Sequence, residues 1–247
     1  MRTGLALGAM LVLMMTSTGQ SEGLVSARYE ASVDRYGHFA LGRPHEYARV
    51  LARTDAGRTV ALELPEDEVF EDLAPRLVRL TEDGPTLLLT IVSARGTGAR
   101  LALIGLQGDV LEVVAQSAPI GTPHRWLNPV GVADLDGDGV AEIAAVTTPH
   151  IGGVLRVYRR DGEHLVERAS LTGFSNHVYR SAELDLSRPA TIGGRTRLLV
   201  PDVARTSVRV IALDGDRLVE TDRCALDAPV TGPDALRACE DQPTGAP

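Results

Sequence analysis

The 247-residue sequence has no Lys/Arg cluster, only two cysteines, no membrane-length apolar run and little helical periodicity. Each absence excludes a class of protein. Lys plus Arg number 25 against 33 Asp plus Glu, for a formal charge of −8. A nucleic-acid binder carries a basic patch or stripe, so a phosphate-backbone partner is not expected. A modest acidic excess favours solubility and tolerates bound cations. HExxH, GxSxG and a phosphate-cradling glycine loop are all missing, and with them the commonest sequence signatures of metalloprotease, serine-hydrolase and nucleotide chemistry. The six histidines do not fall at metal-ligand spacing.

The longest N-terminal apolar stretch, Leu5 to Met15, follows Arg2 and gives way to small polar residues through Ser21. A comfortable span needs about 20 apolar residues. The stretch reads as the h-region of a signal peptide, residues 1–22, with cleavage between Thr18 and Ala27. An uncleaved N-terminal anchor is the alternative. No cysteine follows the h-region, which argues against a lipoprotein anchor there. The expectation is an exported protein, periplasmic or extracellular, with no membrane span after cleavage. In such a compartment Cys224 and Cys239 suggest a disulfide. It would close a loop of about 15 residues, worth roughly 3 kcal/mol in the chain-entropy model. Two unpaired thiols are the alternative. The bond would tether a proline-rich tail, 229–247, in which 233–240 is a candidate short helix.

Short β-branched runs separated by turn residues fill the mature chain, the pattern of an all-β sandwich, barrel or propeller. They fall into fours. The first complete group is 76–80, 86–92, 100–106 and 110–115. The second is 130–134, 142–147, 154–158 and 164–169. The third is 179–186, 196–200, 207–212 and 217–221. A divergent group precedes them, with strands at 39–41, 47–52 and 59–64. The last turn of each complete group repeats: Gly108-Asp109, Asp161-Gly162 and Asp214-Gly215. Asp-Gly or Gly-Asp between strands is a strong hairpin signal. The copies lie about 54 residues apart, the scale of one four-stranded propeller blade. The fold expected over 28–228 is therefore a small β-propeller of four to five four-stranded blades. A β-sandwich with regular hairpins is the competing reading.

One segment carries a chemical motif: Val132-Ala133-Asp134-Leu135-Asp136-Gly137-Asp138-Gly139-Val140-Ala141-Glu142-Ile143. Acidic residues stand at positions one, three, five and nine, with glycine at six. Calcium takes six to eight oxygen ligands, and alternating carboxylates in a tight loop converge on one centre. Gly139 permits the sharp turn that would aim the Val140 carbonyl inward. An EF-hand needs an acidic residue at position twelve and flanking helices. Position twelve is Ala145 and both flanks read as strands, so Glu142 would close the site at the head of the next strand. A solvated turn without metal is the alternative.

This segment resembles the calcium loop of FG-GAP/VCBS repeats, found in integrin α-subunit propellers and many bacterial exported proteins. The loop match covers a dozen residues, and the repeat pattern extends it over most of 74–226. The resemblance implies a propeller whose inner strands lead into calcium loops. Other units depart from it. Arg79-Leu80-Thr81-Glu82-Asp83-Gly84 keeps only Asp83 and Gly84 in register. Glu183-Leu184-Asp185 is followed by Ser187-Arg188-Pro189, which breaks the loop. One Ca²⁺ site is expected, held by Asp134, Asp136, Asp138, the Val140 carbonyl and Glu142. Extracellular modules bind calcium at about 10⁻⁴–10⁻³ M. At millimolar calcium that stabilises by roughly 0.5–1.5 kcal/mol, a structural role.

In a propeller, the segments entering each inner strand share one rim, where binding surfaces commonly form. Here they supply Tyr36 and His38; Glu71 and Asp72; His124, Arg125 and the sole tryptophan, Trp126; and Asn176 and His177. The expected function is a non-enzymatic binding or structural module with a protein or carbohydrate partner. The alternative is a hydrolase or lyase at the channel mouth, built from His38, Glu71, Asp72, Arg125 and His177. Burial of Trp126 and Tyr36 between blades is the structural alternative for the rim.

Overall fold

Three hairpins of the computed structural model, which describes residues 22–240, share one construction. Strands β5 (Arg76–Val78), β6 (Leu87–Ala94), β7 (Gly98–Gln107) and β8 (Val110–Ser117) form the second of four sequential units. The third unit is β9 (Leu127–Ala133), β10 (Glu142–Thr147), β11 (Val154–Asp161) and β12 (His164–Thr172). The fourth is β13 (Arg188–Ile192), β14 (Arg195–Pro201), β15 (Ser207–Asp214) and β16 (Arg217–Ala225). In each, the last two strands join through a two-residue loop that begins with a glycine at positive φ: Gly108 (58°), Gly162 (58°) and Gly215 (57°). Four residues before each of these glycines the ladder slips by a bulge, at Leu103/Ile104, Val157/Tyr158 and Val210/Ile211. A β-bulge sharpens strand twist. Turn and bulge at one fixed offset, three times over, make the units structural repeats.

The first unit is less regular: β1 (Leu24–Ser32), β2 (Tyr47–Thr54), β3 (Thr59–Glu63) and β4 (Glu68–Phe70), with β2 flanked by β1 and β3. A short helix, α1 (Asp234–Glu240), follows the last strand. The fold is all-β. Pairing does not leave four separate sheets. Within the first unit β2 meets β4 through Tyr47↔Phe70 alone; β4 then joins β6 of the second unit through Glu68↔Ala94, Val69↔Ser93 and Phe70↔Val92, and β8 meets β12 of the third in parallel through His164↔Gln116 and Leu165↔Ser117. These short junctions fuse three units into one curled twelve-stranded sheet, while β13–β16 remain apart as a four-stranded sheet.

Packing follows from burial on both faces. β6 and β10 are buried along their whole length, as expected for strands covered on both sides. Leu88 and Val92 pack with Val50, Ala52 and Phe70 of the first unit. Leu87, Leu89 and Ile91, on the opposite face, pack with Trp126, Ile143 and Ala145 of the third. Val130, Ala144 and Val146 then pack with Leu198, Val200 and Ile211 of the fourth. The units are stacked face to face. Gly131 lets β9 and β13 approach, because a Cβ there would lie 2.5 Å from Pro189 Cδ.

The two ends of the stack are finished differently. The free face of the fourth unit (Leu199, Val208, Val210) is covered by Val230, Leu236 and the Cys224–Cys239 disulfide. The free face of the first unit carries Arg28, Arg49 and Glu63, with Arg49 paired to Glu63 at 2.9 Å. Repeat stacks need such terminal caps.

Two expected strands are absent. Residues 39–41 form a turn packed on the core of units two and three. Residues 179–186 are irregular, because side chains of other segments take up their carbonyls: Ser181 O meets the His177 ring at 2.9 Å, and Asn128 Nδ2 donates to Leu184 O at 3.0 Å. Conversely, β1 and β4 extend the first unit beyond the expected runs. The expected signal peptide, apart from Glu22, and the tail beyond 240 lie outside the described residues. Among the described residues no helix is long and apolar enough to cross a membrane.

Candidate functional site

The β9–β10 hairpin carries one candidate site at each end. Seven residues of strand separate them, roughly 20 Å at 3.3 Å per residue.

At the turn of this hairpin, Asp134, Asp136 and Asp138 bring carboxylate oxygens within 4.8 Å of one another. The loop shapes itself around Asp134. Its Oδ1 accepts from Gly137 N (2.7 Å) and Asp138 N (3.2 Å), and its Oδ2 from Gly139 N (2.9 Å). Glu142 is fully buried and accepts from Leu135 N at 3.0 Å. Burial pushes its carboxyl up, and Asp136 and Asp138 add to this against the Leu135 N–H and Arg159. Two guanidiniums supply countercharge. Arg159 donates to Asp138 Oδ2 (2.6 Å) and Glu142 Oε1 (3.0 Å), and Arg168 to Asp136 Oδ2 (2.9 Å). The Arg159 bond and the Val140 N–H hold Asp138 below the usual carboxylate range. Donors that are all oxygen and anionic suit a hard cation. Arg159 and Arg168 are its competitors for those oxygens.

At the other end, loops from three units enclose a cavity of about 480 Å³. His124, Arg125 and Trp126 enter β9; Thr148, His150 and Ile151 leave β10; His38 comes from the β1–β2 loop and Tyr179 from the β12–β13 loop. Backbone bonds tie these loops together, with Thr148 N donating to Trp126 O (2.8 Å) and Arg180 N to Ala40 O (2.8 Å). The His38 loop is moulded by Glu46, a fully buried side chain that accepts from the successive N–H groups of Gly37 (2.9 Å), His38 (2.8 Å) and Phe39 (2.9 Å).

Four of the six histidines gather here. His38 stacks on His124, centroids 5.5 Å apart, and His150 lies parallel to Trp126 at 6.1 Å. His150 Nε2 lies 2.8 Å from His177 Nδ1, and His177 Nε2 lies 2.9 Å from Ser181 O. A carbonyl only accepts, so His177 carries its proton on Nε2 and takes the His150 Nε2–H on Nδ1. Burial lowers both imidazoles to about 4. His177, His38 and Arg205 add to the effect at His150, and Arg205 adds to it at His177 against the Ser181 carbonyl. Tyr36 is pushed up to about 12 by burial and by Glu71 and Glu46; its oxygen accepts from His124 N at 2.8 Å.

The rim residues expected from sequence divide into two groups. Tyr36, His38, His124, Arg125, Trp126 and His177 come together. Glu71 lies just behind them, fully buried, with Oε1 2.8 Å from His38 Nδ1 in a contact outside hydrogen-bond geometry. Its oxygens are already used by Ala40 N (3.0 Å) and Ser93 Oγ (2.7 Å), and its carbonyl by Trp126 Nε1 (2.9 Å). Asp72 points elsewhere and is paired with Arg76 at 2.6 Å. Asn176 is buried as a brace, donating to Asn128 O (3.2 Å) and Ser187 Oγ (2.9 Å). Trp126 is 2% exposed, so it serves as floor. Thr148, His150, Ile151, Tyr179 and Glu46 also build the site, although none lies in a segment expected at the rim. The β10–β11 turn was the available signal, since it must share an end with the segment entering β9.

No protein-family model matches the chain, and no curated protein resembles it in sequence.

Proposed function

We propose that the chain is an exported, calcium-binding β-repeat module of the FG-GAP/VCBS propeller type, which binds a ligand in the cavity between its rim loops and catalyses no reaction. The supporting observation is the state of the acidic groups around that cavity. None of the residues lining it is a carboxylate. The nearby Glu71, Asp72 and Glu46 are buried and committed to partners in the protein. The carboxylates on which a hydrolase or lyase here would rely are thus out of reach of a substrate, and the lining histidines, which are proton-transfer groups themselves, serve in this reading as ring contacts. Exposed rings instead offer flat, amphipathic contact area, and a cavity of this size falls in the range of small-ligand sites. Tyr179 and His124 suit a sugar ring or a protein side chain. The disulfide accords with an oxidising compartment.

In this reading the four units are blades of one propeller-type stack, bounded by the polar face of the first and the disulfide-tethered cover of the fourth. Calcium at Asp134–Glu142 would stiffen the third unit remote from the ligand, supplying charge neutralisation and no chemistry.

Two titrations test the proposal. Calorimetry should give one calcium site in the parent and none in Asp136→Ala; no binding up to several millimolar would reduce the loop to a turn braced by arginine. Saccharides and partner peptides screened by the fluorescence of the sole tryptophan should yield a ligand whose binding falls in Tyr179→Ala. A ligand indifferent to that substitution would remove the cavity from the proposal.

A further inference from the structure

Histidine rings around the cavity are oriented in a common way. His177 has its Nε2–H on Ser181 O, His124 has Nε2 3.3 Å from Tyr36 O, and His38 has Nδ1 against the buried Glu71 carboxylate. In the first two a ring nitrogen is hydrogen-bonded to an oxygen behind the cavity wall, and in His38 it lies close to one outside hydrogen-bond geometry. Metal-ligating histidines are oriented in this way, by a carbonyl or carboxylate on the nitrogen that does not bind. The fourth ring, His150, points its Nε2 at His177 Nδ1 across 2.8 Å. Two nitrogens that are adjacent ligands of one ion, each about 2.0–2.1 Å from it, stand about 2.9–3.4 Å apart depending on the bond angle. The pair is within a few tenths of an ångström of that spacing.

From this geometry we propose that the cavity holds a divalent d-block cation, with His177 Nδ1 and His150 Nε2 as its protein ligands. This deepens the cavity-binding reading and rests on it. The ion takes the place of the single proton between the two nitrogens. That proton moves to His150 Nδ1 as the ring changes tautomer, so no net proton is released. His177 is fully buried and fixed by Ser181, whereas His150 sits at the open side, where water completes the coordination. Imidazole ligands favour zinc, nickel and copper over calcium or magnesium, so this site and the Asp134–Glu142 loop take different ions. Arg205, which donates to Ser175 Oγ at 3.1 Å, opposes a cation here, and the Glu71 carboxylate behind His38 favours one.

The test is a titration with Cu²⁺, highest in affinity among first-row divalent ions, in excess Ca²⁺ so that the acidic loop is occupied. Trp126 lies 4.8 Å from the His177 ring and 6.1 Å from His150, so a bound Cu²⁺ should quench its fluorescence. The expected result is saturable one-to-one quenching, relieved by Zn²⁺ in large excess. Affinity should fall at least tenfold in His150→Gln and stay at the parent value in His45→Gln, His164→Gln and Asp136→Ala. Electron paramagnetic resonance of the parent with one equivalent of Cu²⁺ should show coupling to two imidazole nitrogens, which keeps the test valid if a variant folds poorly. Parent-like affinity in His150→Gln, loss in Asp136→Ala, or no nitrogen coupling would overturn the proposal. A sugar or peptide that binds without any Cu²⁺ effect would overturn it while leaving the cavity reading intact.

Discussion

Replacing Glu46 by glutamine should unfold the rim before any other part of the site. This side chain is fully buried and collects three consecutive backbone N–H groups, from Gly37, His38 and Phe39, at 2.8–2.9 Å. Phe39 has φ 50° and Gly37 φ 76°, a backbone that turns its amides toward one anion in the manner of a nest. Glutamine keeps the size but exchanges one acceptor oxygen for a donor NH₂, which then confronts the Gly37 N–H. Losing one hydrogen bond to a charged group costs about 1.5–3 kcal/mol. The remaining bonds fall from charge-assisted to neutral, roughly halving in strength. The expected loss is about 2–4 kcal/mol. In a chain of this size each kcal/mol lowers the melting temperature by about 2–4 °C. Glu66→Gln is the control. Glu66 is almost fully exposed and meets only Arg35 at 3.5 Å, so its replacement should cost less than about 1 kcal/mol. Urea unfolding followed by Trp126 fluorescence measures both. A Glu46→Gln variant within about 0.5 kcal/mol of the parent would refute the clamp; the position of His38 in the cavity would then need another cause.

Arg159→Gln removes the guanidinium that shares Asp138 and Glu142. Calorimetry should show calcium binding tightened by roughly three- to tenfold, with a small loss of stability in its absence; unchanged or weaker binding would mean that the arginine does not compete. Gly131→Ala drives a methyl to 2.5 Å from Pro189 Cδ and should cost about 1–3 kcal/mol by urea unfolding. Recovery in the Gly131→Ala/Pro189→Ala double variant would locate that cost at the β9–β13 contact. Replacing both Cys224 and Cys239 by alanine should cost about 3 kcal/mol from the 15-residue loop, and reduction of the parent should match it. Glu220 is held below the usual carboxylate range by Arg223 and Arg209. A lowered folded-state pKa stabilises above the ordinary glutamate value and ceases to do so as pH falls through the folded value. The deficit of Glu220→Gln should therefore be present at pH 7, at up to about 1 kcal/mol, and vanish toward pH 3; a deficit constant with pH would exclude the ion pairs as its source.

Much of the architecture was legible because hairpins are local. Gly108-Asp109, Asp161-Gly162 and Asp214-Gly215 each announce a turn whose two strands need no distant information, and β10 begins and ends where its sequence run does. Segments whose backbone partners come from elsewhere were not legible in this way. Residues 179–186 are apolar enough to resemble a strand, yet their carbonyls are taken by the side chains of His177 and Asn128, which leaves β13 to begin only at Arg188. β4 has three residues and gains its place by pairing with β6, too short a run to stand out by alternation.

The two candidate sites show the same division. The acidic loop lies within nine consecutive residues, so its carboxylates are brought together by local geometry and could be named from spacing alone. Its competitors could not. Arg159 and Arg168 reach it from β11 and β12, because those strands are neighbours in the third unit's sheet. The cavity is assembled by stacking of the units and by antiparallel pairing within the third. His38 and His124 are separated by 86 positions and touch because the β1–β2 loop crosses to the core of units two and three, where Ala40 and Leu41 anchor it. His150 joins them because β10 runs antiparallel to β9, which returns its far end to the side from which Trp126 enters. A rule that collects only the segments leading into the units will therefore miss half of such a rim. The turn that closes the middle hairpin at the same end belongs to it by the antiparallel geometry alone, and here that turn contributes the more accessible histidine of the His150–His177 pair.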